Sequence, residues 1–503
     1  MDAREKNEAL INLYHDFKNL YGQVFDEGNI LYESFEPDTM RKEFRDAALN
    51  FAYYIALRRH DIRDLQSRLA DWGLSSLGRL EGHVLQSLQM VLANLEILAD
   101  EDDSSVDYPD TVGRNFAQAA LTETTENFFG PSPENRYPSI MVTMPQESAE
   151  DYQLVEDLVD KGMNIARINC AHDFPKDWEN MIKNIRKAEK KLDKNVALYF
   201  DIAGPKVRID AIYTSLKNPR LFVDDTFFLT YLSELKPYYD QEIVLSCEVE
   251  SVISDLKVGE AVRLDDGKII GEVAEVKNEG VIIKVTQVQK KKGAKVKAMK
   301  GINFPDREIV LPIITDKDRK DLDFAKDYAD VIGFSFVTRP EDIPIIQEAL
   351  ENAYGDKAAN VPIVIKTETS GGFNNLVEII IEANRKNPAG VMVARGDLAV
   401  EVGYLRLSEI QQEILWLCEA ARIPTIWATQ VLESLVKTGI PTRAEISDIS
   451  LSNGAEVVML NKGDYIVEGV DMLSNILERA GRHHFKKTPQ LQSLNVAKNA
   501  FKN

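Results

Sequence analysis

The chain has 503 residues, enough for about three domains and for a large core without disulfides. Its 60 basic and 81 acidic residues leave a net charge of −21, which argues against nucleic-acid binding but allows a local basic pocket for a phosphorylated substrate. Three widely separated cysteines argue against structural zinc or a disulfide framework, and no apolar stretch is long enough to span a membrane, so we expect a soluble cytoplasmic protein.

The first part of the chain, residues 1–130, has the pattern of an all-helical region. Apolar residues recur there at helical spacing, for example Leu10, Leu13 and Phe17, and later Val84, Leu88 and Val91. A linker signal follows at residues 130–133, which read Gly-Pro-Ser-Pro.

After the linker, short β-rich apolar runs alternate with helical stretches. Eight runs begin near Ser139, Met163, Asn195, Asp330, Pro362, Gly390, Pro424 and Glu456. Their starts lie roughly 24 to 34 residues apart, except for one interval of about 135, and a series of eight βα units predicts a (β/α)₈ TIM barrel. We place the barrel at residues 138–207 and 305–482.

The long third interval predicts an inserted domain. Residues 208–304 alternate apolar and polar side chains at strand spacing and contain turn signals such as Asp265-Asp266-Gly267, which favours a small β-barrel domain on a barrel loop. Residues 483–503 remain as a C-terminal tail. The expected fold class is therefore α/β: a TIM barrel with an inserted small β-barrel domain and an N-terminal all-helical region.

Active sites of TIM barrels lie at the C-terminal ends of the strands, so the residues that follow each run are the candidates. They are Arg167, Asn169, His172, Asp201, Lys206, Arg208, Ser335, Lys366, Glu368, Arg395, Asp397, Thr429 and Gln430. Glu368 and Asp397 are able to hold Mg²⁺, and the cations are able to offset phosphate charge, which suits phosphoryl transfer. The same groups would also suit carbon–carbon cleavage through a metal-held enolate.

Several segments resemble the pyruvate kinase family. Residues 161–169 are similar to the family's KSGMNVARLN, residues 264–267 and 300–305 resemble its DDG and KGVNLP, and residues 330–337 resemble DxIAxSFV. Residues 393–398 resemble MVARGDLG, residues 428–434 resemble ATQMLES, and residues 441–445 are identical to PTRAE. These matches follow the family's order from about residue 138 to residue 480.

The resemblance implies that phosphoenolpyruvate and ADP give pyruvate and ATP, with Mg²⁺ or Mn²⁺ as cofactor. Glu368 and Asp397 would be the metal ligands, Lys366 and Arg167 would act on the phosphoryl group with help from Arg208, and Thr429 would belong to the proton relay. The main-chain N–H groups of Arg395, Gly396 and Asp397 would suit the substrate carboxylate. Thr143, Asn169, His172 and Lys300 would line the nucleotide side, with the insert closing over it.

The family commonly binds K⁺ through Asn, Ser, Asp and Thr side chains. Here Asn169 and Asp201 remain, whereas the other two positions hold Ala171 and Ile202. Lys206 replaces the glutamate of the family's GPEIR, and family members with lysine there do not need K⁺. We therefore predict that this protein does not require K⁺.

Other departures affect the site and the architecture. The family's TIGPAS, DTKGP and SKIE motifs are altered at Met144 and Pro145, at Ala203 and at Thr367, and the loop after the eighth strand is shortened at Asn461-Lys462. About 20 residues follow the last predicted helix, in place of the family's C-terminal effector domain, so we expect no control by fructose bisphosphate. The sequence leaves open whether the chain forms a homo-oligomer and what residues 1–130 do.

Two other functions stay open. A divergent phosphoenolpyruvate or pyruvate lyase or aldolase would keep Glu368 and Asp397 without needing ADP. A non-catalytic regulator derived from the kinase would need neither, but it would have little physical reason to keep two carboxylates and two cations in one pocket.

Overall fold

The computed structural model describes residues 3–101, 108–109, 113–133, 136–247, 249–307, 309, 311–486 and 488–489. Within these ranges, no helix is long and apolar enough to cross a membrane.

The N-terminal region is helical, as predicted. Its helices are α1 Ala3–Ser34, α2 Lys42–Arg58, α3 Arg63–Asp71, α4 Val84–Leu98 and α5 Gly113–Phe129. The periodic apolar residues of α1, among them Leu13 and Phe17, are fully buried against α2 and α4. Small residues on α2, such as Ala48 and Ala52, allow the long helix to approach closely.

The central unit is a closed barrel of eight parallel strands, which confirms the predicted TIM barrel. The strands are β1 Ser139–Thr143, β2 Ile165–Asn169, β3 Ala197–Ile202, β13 Val331–Phe334, β14 Ile363–Thr367, β15 Ala389–Ala394, β16 Thr425–Ala428 and β17 Val457–Leu460. Each pairs with its sequence neighbours in the barrel, and β17 closes the ring onto β1. Every predicted start lies within two residues of the observed one.

Helices cover the outside of this barrel. They are α6 Tyr152–Lys161, α7 Pro175–Leu192, α9 Asp316–Ala325, α10 Asp342–Tyr354, α11 Ser370–Asn374, α12 Leu376–Lys386, α13 Arg395–Ala420, α14 Glu433–Thr438, α15 Arg443–Ser452 and α16 Ile466–Gly481. A short hairpin, β18 His484–Phe485 and β19 Thr488–Pro489, follows them.

The insert between β3 and α9 is a small β domain. Its elements are β4 Ile212–Thr214, β5 Arg220–Leu221, β6 Thr226–Thr230, β7 Ile243–Ser246, α8 Glu250–Asp255, β8 Ala261–Leu264, β9 Ile269–Lys277, β10 Gly280–Val288, β11 Ala294–Lys295 and β12 Ile302–Asn303. Seven of these strands form one sheet in the order β12-β8-β9-β10-β6-β7-β4, around an apolar core that includes Phe227 and Ile283. The strand spacing read from residues 208–304 therefore corresponds to real sheet structure.

The N-terminal region packs against two sides of the barrel. Phe128 and Phe129 at the end of α5 join the cluster of side chains in the barrel interior, and Phe128 approaches Gly390 near the start of β15. Helices α1, α2 and α4 share a second apolar cluster with α12 and α13. Since both contacts are with core residues, this region is part of the folded unit.

Candidate active site

Polar and charged side chains converge at the C-terminal ends of the barrel strands. Arg167 lies on β2, Asp201 on β3 and Lys366 on β14, with Ser335 directly after β13 and Glu368 directly after β14. All five are at most 8% exposed. The reading of strand ends from sequence therefore selects residues that the fold brings together in one buried cluster.

Arg167 and Asp201 form the first contact of the cluster. Arg167 Nε donates to Asp201 Oδ2 at 2.7 Å, and a second guanidinium N–H donates to the same oxygen. Arg167 Nη1 donates to Thr143 Oγ1 at 2.7 Å, which ties β1 to β2 and β3. Although burial alone would raise the pKa of Asp201, Lys366 and Arg167 hold it below its usual value.

Lys366 is the centre of the cluster. Its Nζ lies 3.1 Å from Asp201 Oδ1 and 3.2 Å from Glu368 Oε1, and it donates to Ser335 Oγ at 2.7 Å. Although burial would lower the pKa of Lys366, the two carboxylates raise it, so the ammonium stays charged. A fixed positive charge therefore points into a poorly solvated site.

Glu368 carries a carboxylate whose charge is only partly offset. Its Oε2 accepts a hydrogen bond at 2.6 Å from the main-chain N–H of Phe336, a residue with a left-handed φ of 61°. Burial raises the pKa of Glu368; Lys366 lowers it, and the nearby carboxylate of Asp397 raises it again. The pair of carboxylates therefore has the electrostatics of a site that would gain from a divalent cation.

Asp397 lies in the first turn of α13 and contacts Lys206. Lys206 Nζ is 2.5 Å from Asp397 Oδ1 and 3.4 Å from Asp266 Oδ1 in the insert. Burial opposes the charge on Lys206, but these carboxylates raise its pKa. Lys206 thus connects the start of α13 to the turn of the insert that contains residues 265–267.

Thr429 lies opposite the start of α13. A Cβ placed on Gly396 would lie 3.7 Å from Thr429 Oγ1, so the two residues are neighbours. Thr429, Gln430 and Leu432 all have positive φ angles, between 48° and 63°. Thr429 Oγ1 is buried and has no hydrogen-bond partner among the residues that the structure describes, so the strained loop presents an unused hydroxyl.

The Arg395 side chain takes no part in this cluster. Its guanidinium binds the carboxylate of Asp448 on α15, the main-chain oxygens of Ala428 and Thr429, and the face of Trp427. Only the main chain of Arg395 is therefore available to a substrate, which is the part of this residue that the sequence analysis proposed.

The residues expected to line the nucleotide lie around the mouth of the barrel. Thr143, Asn169 and His172 lie on the side of β1 and β2, and Lys300 lies on the insert. Asn169 Oδ1 accepts from Ala171 N at 3.1 Å, and His172 lies beyond it on the same loop. Arg208 donates to the main-chain oxygen of Met299 at 3.1 Å. Lys300 pairs with Asp265 Oδ1 at 3.1 Å, so Arg208 and Lys300 have partners within the insert.

One cation that was not assigned a role from the sequence lies near this side. Loss of solvation lowers the pKa of His172, and Lys462, Arg208 and Arg167 lower it further, which places Lys462 among the cations of the mouth. Asn461, the residue before it, accepts a 3.5 Å hydrogen bond from Thr143. Reading the end of the eighth strand as well as the first seven would have identified Lys462.

Two carboxylates of the site, those of Glu368 and Asp397, would be the protein's ligands for Mg²⁺. In the described part of the chain, no group of three or more His, Cys, Asp or Glu side chains is arranged to hold a metal. The protein therefore offers the two carboxylates of Glu368 and Asp397, and Mg²⁺ is commonly bound by one or two carboxylates together with substrate oxygens and water.

The closed barrel of eight parallel strands, interrupted by the β insert, makes this a TIM-barrel protein. The buried cluster of cations and carboxylates at its mouth is suited to anionic ligands. The model of the pyruvate kinase barrel domain matches residues 135–470. A pyruvate kinase of Thermotoga maritima is 31% identical over 343 residues, which cover 66% of this chain and 68% of that protein. A pyruvate kinase of Staphylococcus aureus is 32% identical over 340 residues, which cover 65% of this chain but 54% of that protein.

The solved structures agree with the sequence relatives. The crystal structure of a pyruvate kinase from Cryptosporidium parvum is similar, with a TM-score of 0.61 and 27% identity, over 71% of this chain and 72% of that chain. The chain belongs to the pyruvate kinase family. It spans about half the length of the Staphylococcus aureus relative. Membership of the family therefore does not by itself establish that this chain has the activity of the whole relative.

Proposed function

We propose that this protein is a pyruvate kinase that transfers the phosphoryl group of phosphoenolpyruvate to ADP. The observation that carries the proposal is the buried cluster in which Lys366 contacts Glu368 and Asp201, with Arg167 beside it. In this reaction the bond between phosphorus and the enol oxygen breaks, and a bond from phosphorus to a β-phosphate oxygen of ADP forms. The enolate then takes a proton at carbon and becomes pyruvate.

The cations would bind and orient the transferring group. Lys366 would neutralise the phosphoryl oxygens and the enolate oxygen, because its ammonium is held in a poorly solvated site by two carboxylates. Arg167 would hold the phosphoryl group from the β2 side. Glu368 and Asp397 would hold Mg²⁺, which supplies charge neutralisation for phosphate and enolate oxygens when bound.

The start of α13 and the Thr429 loop would bind the rest of the substrate. The main-chain N–H groups of residues 395–397 lie in the first turn of α13, which suits a carboxylate. Thr429 lies next to Gly396, and its unpartnered hydroxyl would take part in delivering a proton to the enolate carbon.

The nucleotide would lie between the barrel and the insert. Thr143, Asn169 and His172 would line its barrel side, and Lys300 and Arg208 would face it from the insert once their present partners are exchanged for phosphate oxygens. Closure of the insert would exclude water, which otherwise competes with ADP for the phosphoryl group.

The position of Lys206 supports the proposal that the protein is active without K⁺. Its ammonium lies within the site, at 2.5 Å from Asp397, and Ala171 and Ile202 provide no side-chain oxygen where the family has hydroxyl ligands. The lysine would therefore supply a permanent positive charge at the site. The protein is expected to need a divalent metal and no monovalent one.

The decisive experiment is to measure pyruvate formation from phosphoenolpyruvate, ADP and Mg²⁺, with K⁺ and with K⁺ fully replaced by tetramethylammonium. Equal activity in both would support the kinase and the role of Lys206. Activity in K⁺ alone would support the kinase and refute the role of Lys206. The absence of pyruvate and ATP in both would refute the kinase.

A further inference from the structure

A cavity of about 400 Å³ lies where the insert joins the barrel, and we call it the hinge cavity. Its walls come from residues 205–207, from β12 and from the segment after it, and on the barrel side from the loops after β13 and β14 and from Glu401 on α13. Lys206 lines it, whereas Arg167, Lys366 and Glu368 are not among its lining residues, so the cavity lies beside the candidate active site.

The cations on the walls of the hinge cavity are paired with carboxylates, whereas not every carboxylate on the walls is paired with a cation. The cations on the walls all have a carboxylate partner: Lys206 with Asp397 at 2.5 Å, Arg307 with Glu260 at 2.9 Å and Arg339 with Asp342 at 3.5 Å. Glu401, in contrast, has no Lys, Arg or His nitrogen within 4.0 Å in the part of the chain that the structure describes; its Oε1 accepts from Asn303 Nδ2 at 2.9 Å. Asp306, the other wall carboxylate without a cation among the described residues, is exposed and accepts from the main-chain N–H of Ala261, so Glu401 is the less exposed acceptor for a cationic ligand.

Asn303 provides a second acceptor at the same place. The residue is 6% exposed, its amide nitrogen is used by Glu401, and its Oδ1 is buried without a hydrogen-bond partner among the described residues. A buried amide oxygen without a donor is unfavourable, so the site favours a molecule that brings one. Burial raises the pKa of Glu401 and Asp397 raises it further, whereas Asn303, Arg263 and Lys206 lower it without restoring its usual value.

Part of the remaining wall is apolar, alongside polar residues of the loops after β13 and β14 such as Thr338 and Thr369. Phe304 and Ile313 are at most 3% exposed, and with Ile302, Leu311 and Phe336 they provide a hydrocarbon surface next to the two acceptors. We propose that the hinge cavity binds a small primary amine with a hydrocarbon body. The ammonium donates to Glu401 and to Asn303 Oδ1, and the hydrocarbon packs against Phe304 and Phe336.

An amine in this position would border the candidate active site. Lys206 and Phe336 both line the hinge cavity. Lys206 binds Asp397, and the N–H of Phe336 binds Glu368, so the wall of the cavity holds the two candidate metal ligands in place. The connecting segments of the insert form the opposite wall, so an occupant would lie between the barrel and the insert.

The test measures binding of 2-phenylethylamine to the full chain by isothermal titration calorimetry. Two probes of nearly equal shape serve for comparison: 2-phenylethanol, which lacks the charge, and phenylacetate, which reverses it. We expect the amine to bind about tenfold or more tightly than the alcohol, because its hydrogen bonds are charge-assisted, and phenylacetate not to bind. Equal affinities for the three probes, or no binding of the amine, would overturn the proposal.

Two variants assign the binding to the hinge cavity. Glu401→Gln keeps an acceptor for Asn303 and removes the charge, so it should weaken the amine about tenfold and leave the alcohol unchanged. Glu409→Gln, on the same helix but paired with Arg406, should leave both affinities unchanged. Amine affinity that survives Glu401→Gln, or that falls equally in both variants, would place the ligand elsewhere and refute the proposal. These measurements do not depend on kinase activity, so they can fail or succeed independently of it.

Discussion

Replacing Lys366 by Met removes the positive charge at the centre of the cluster while keeping most of the side-chain volume. The ammonium contacts Asp201 at 3.1 Å, Glu368 at 3.2 Å and Ser335 at 2.7 Å. Asp201 would keep Arg167 as a partner, whereas Glu368 would keep the N–H of Phe336 as its hydrogen bond. The variant thus leaves one buried carboxylate without a cation.

Two magnitudes follow from this geometry. Removing one partner of a buried ion pair costs about 3 to 5 kcal/mol of stability, because the other charge remains buried. Removing a preorganised group that stabilises charge in the transition state lowers kcat by about 10² to 10³. Since negative charge develops on the enol oxygen as its bond to phosphorus breaks, we expect kcat to fall far more than KM for phosphoenolpyruvate rises.

The assay is steady-state kinetics of pyruvate formation, together with thermal unfolding of the same samples. Lys486→Met is the matched control, because the Lys486 side chain is 7% exposed and its Nζ lies 2.6 Å from Glu456 Oε1. Glu456 directly precedes β17, at the end of the barrel away from the mouth. The control variant should lose comparable stability with little change in kcat. An equal effect on kcat and KM in Lys366→Met, or an equal loss of kcat in the control, would refute the assigned role.

Three further changes test other parts of the molecule. Asp397→Ala should raise the Mg²⁺ concentration needed for half-maximal activity and lower activity together, and an unchanged Mg²⁺ titration would remove Asp397 from the metal site. Thr429→Val should maintain or raise thermal stability, because the buried hydroxyl has no partner among the described residues, and should lower turnover; full turnover would exclude a proton relay through Thr429. Asn50→Leu should lower the free energy of unfolding by about 2 to 4 kcal/mol in urea titrations, since it deprives buried backbone groups of partners, and a smaller loss would show that water replaces them.

The barrel could be predicted because each of its strands is a local signal. A strand buried on both faces reads as a short apolar run, and eight such runs at βα spacing leave few alternatives. The residues after each run were then placed at the mouth without any knowledge of contacts. Arg167 and Lys366, which the fold brings to the same carboxylate, were found in this way.

The direction of side chains could not be read in the same way. Arg395 follows β15 and was expected at the substrate through its main chain, but nothing local shows that its side chain binds Asp448, 53 positions later. The pairing of Lys206 with Asp397 joins residues 191 positions apart, and it depends on how the insert sits on the barrel. Such contacts follow from tertiary packing, which periodicity does not describe.

The packing of the N-terminal helices on the barrel was also beyond the sequence, since an apolar helix face indicates burial but not the partner. The structure shows that they hold the far end of α13. Asn50 donates to the main-chain oxygen of Ala420 at 2.8 Å, and Arg422 just beyond α13 donates to that of Gly82. The same helix carries Asp397 in its first turn.

Helix α13 does not rigidly couple these contacts with the N-terminal region to the candidate active site. Gly403 interrupts it with a φ of 79° and a ψ of 158°, so the ladder of backbone hydrogen bonds that stiffens a helix is broken between its two ends. Asp397 lies before the break, whereas Ile410, Ile414 and Cys418 lie after it, in the apolar cluster that they share with the N-terminal helices. We therefore expect Asn50→Leu to lower the stability of the protein while leaving KM for phosphoenolpyruvate unchanged. A rise of KM in that variant would show that the two halves of α13 move together despite the break.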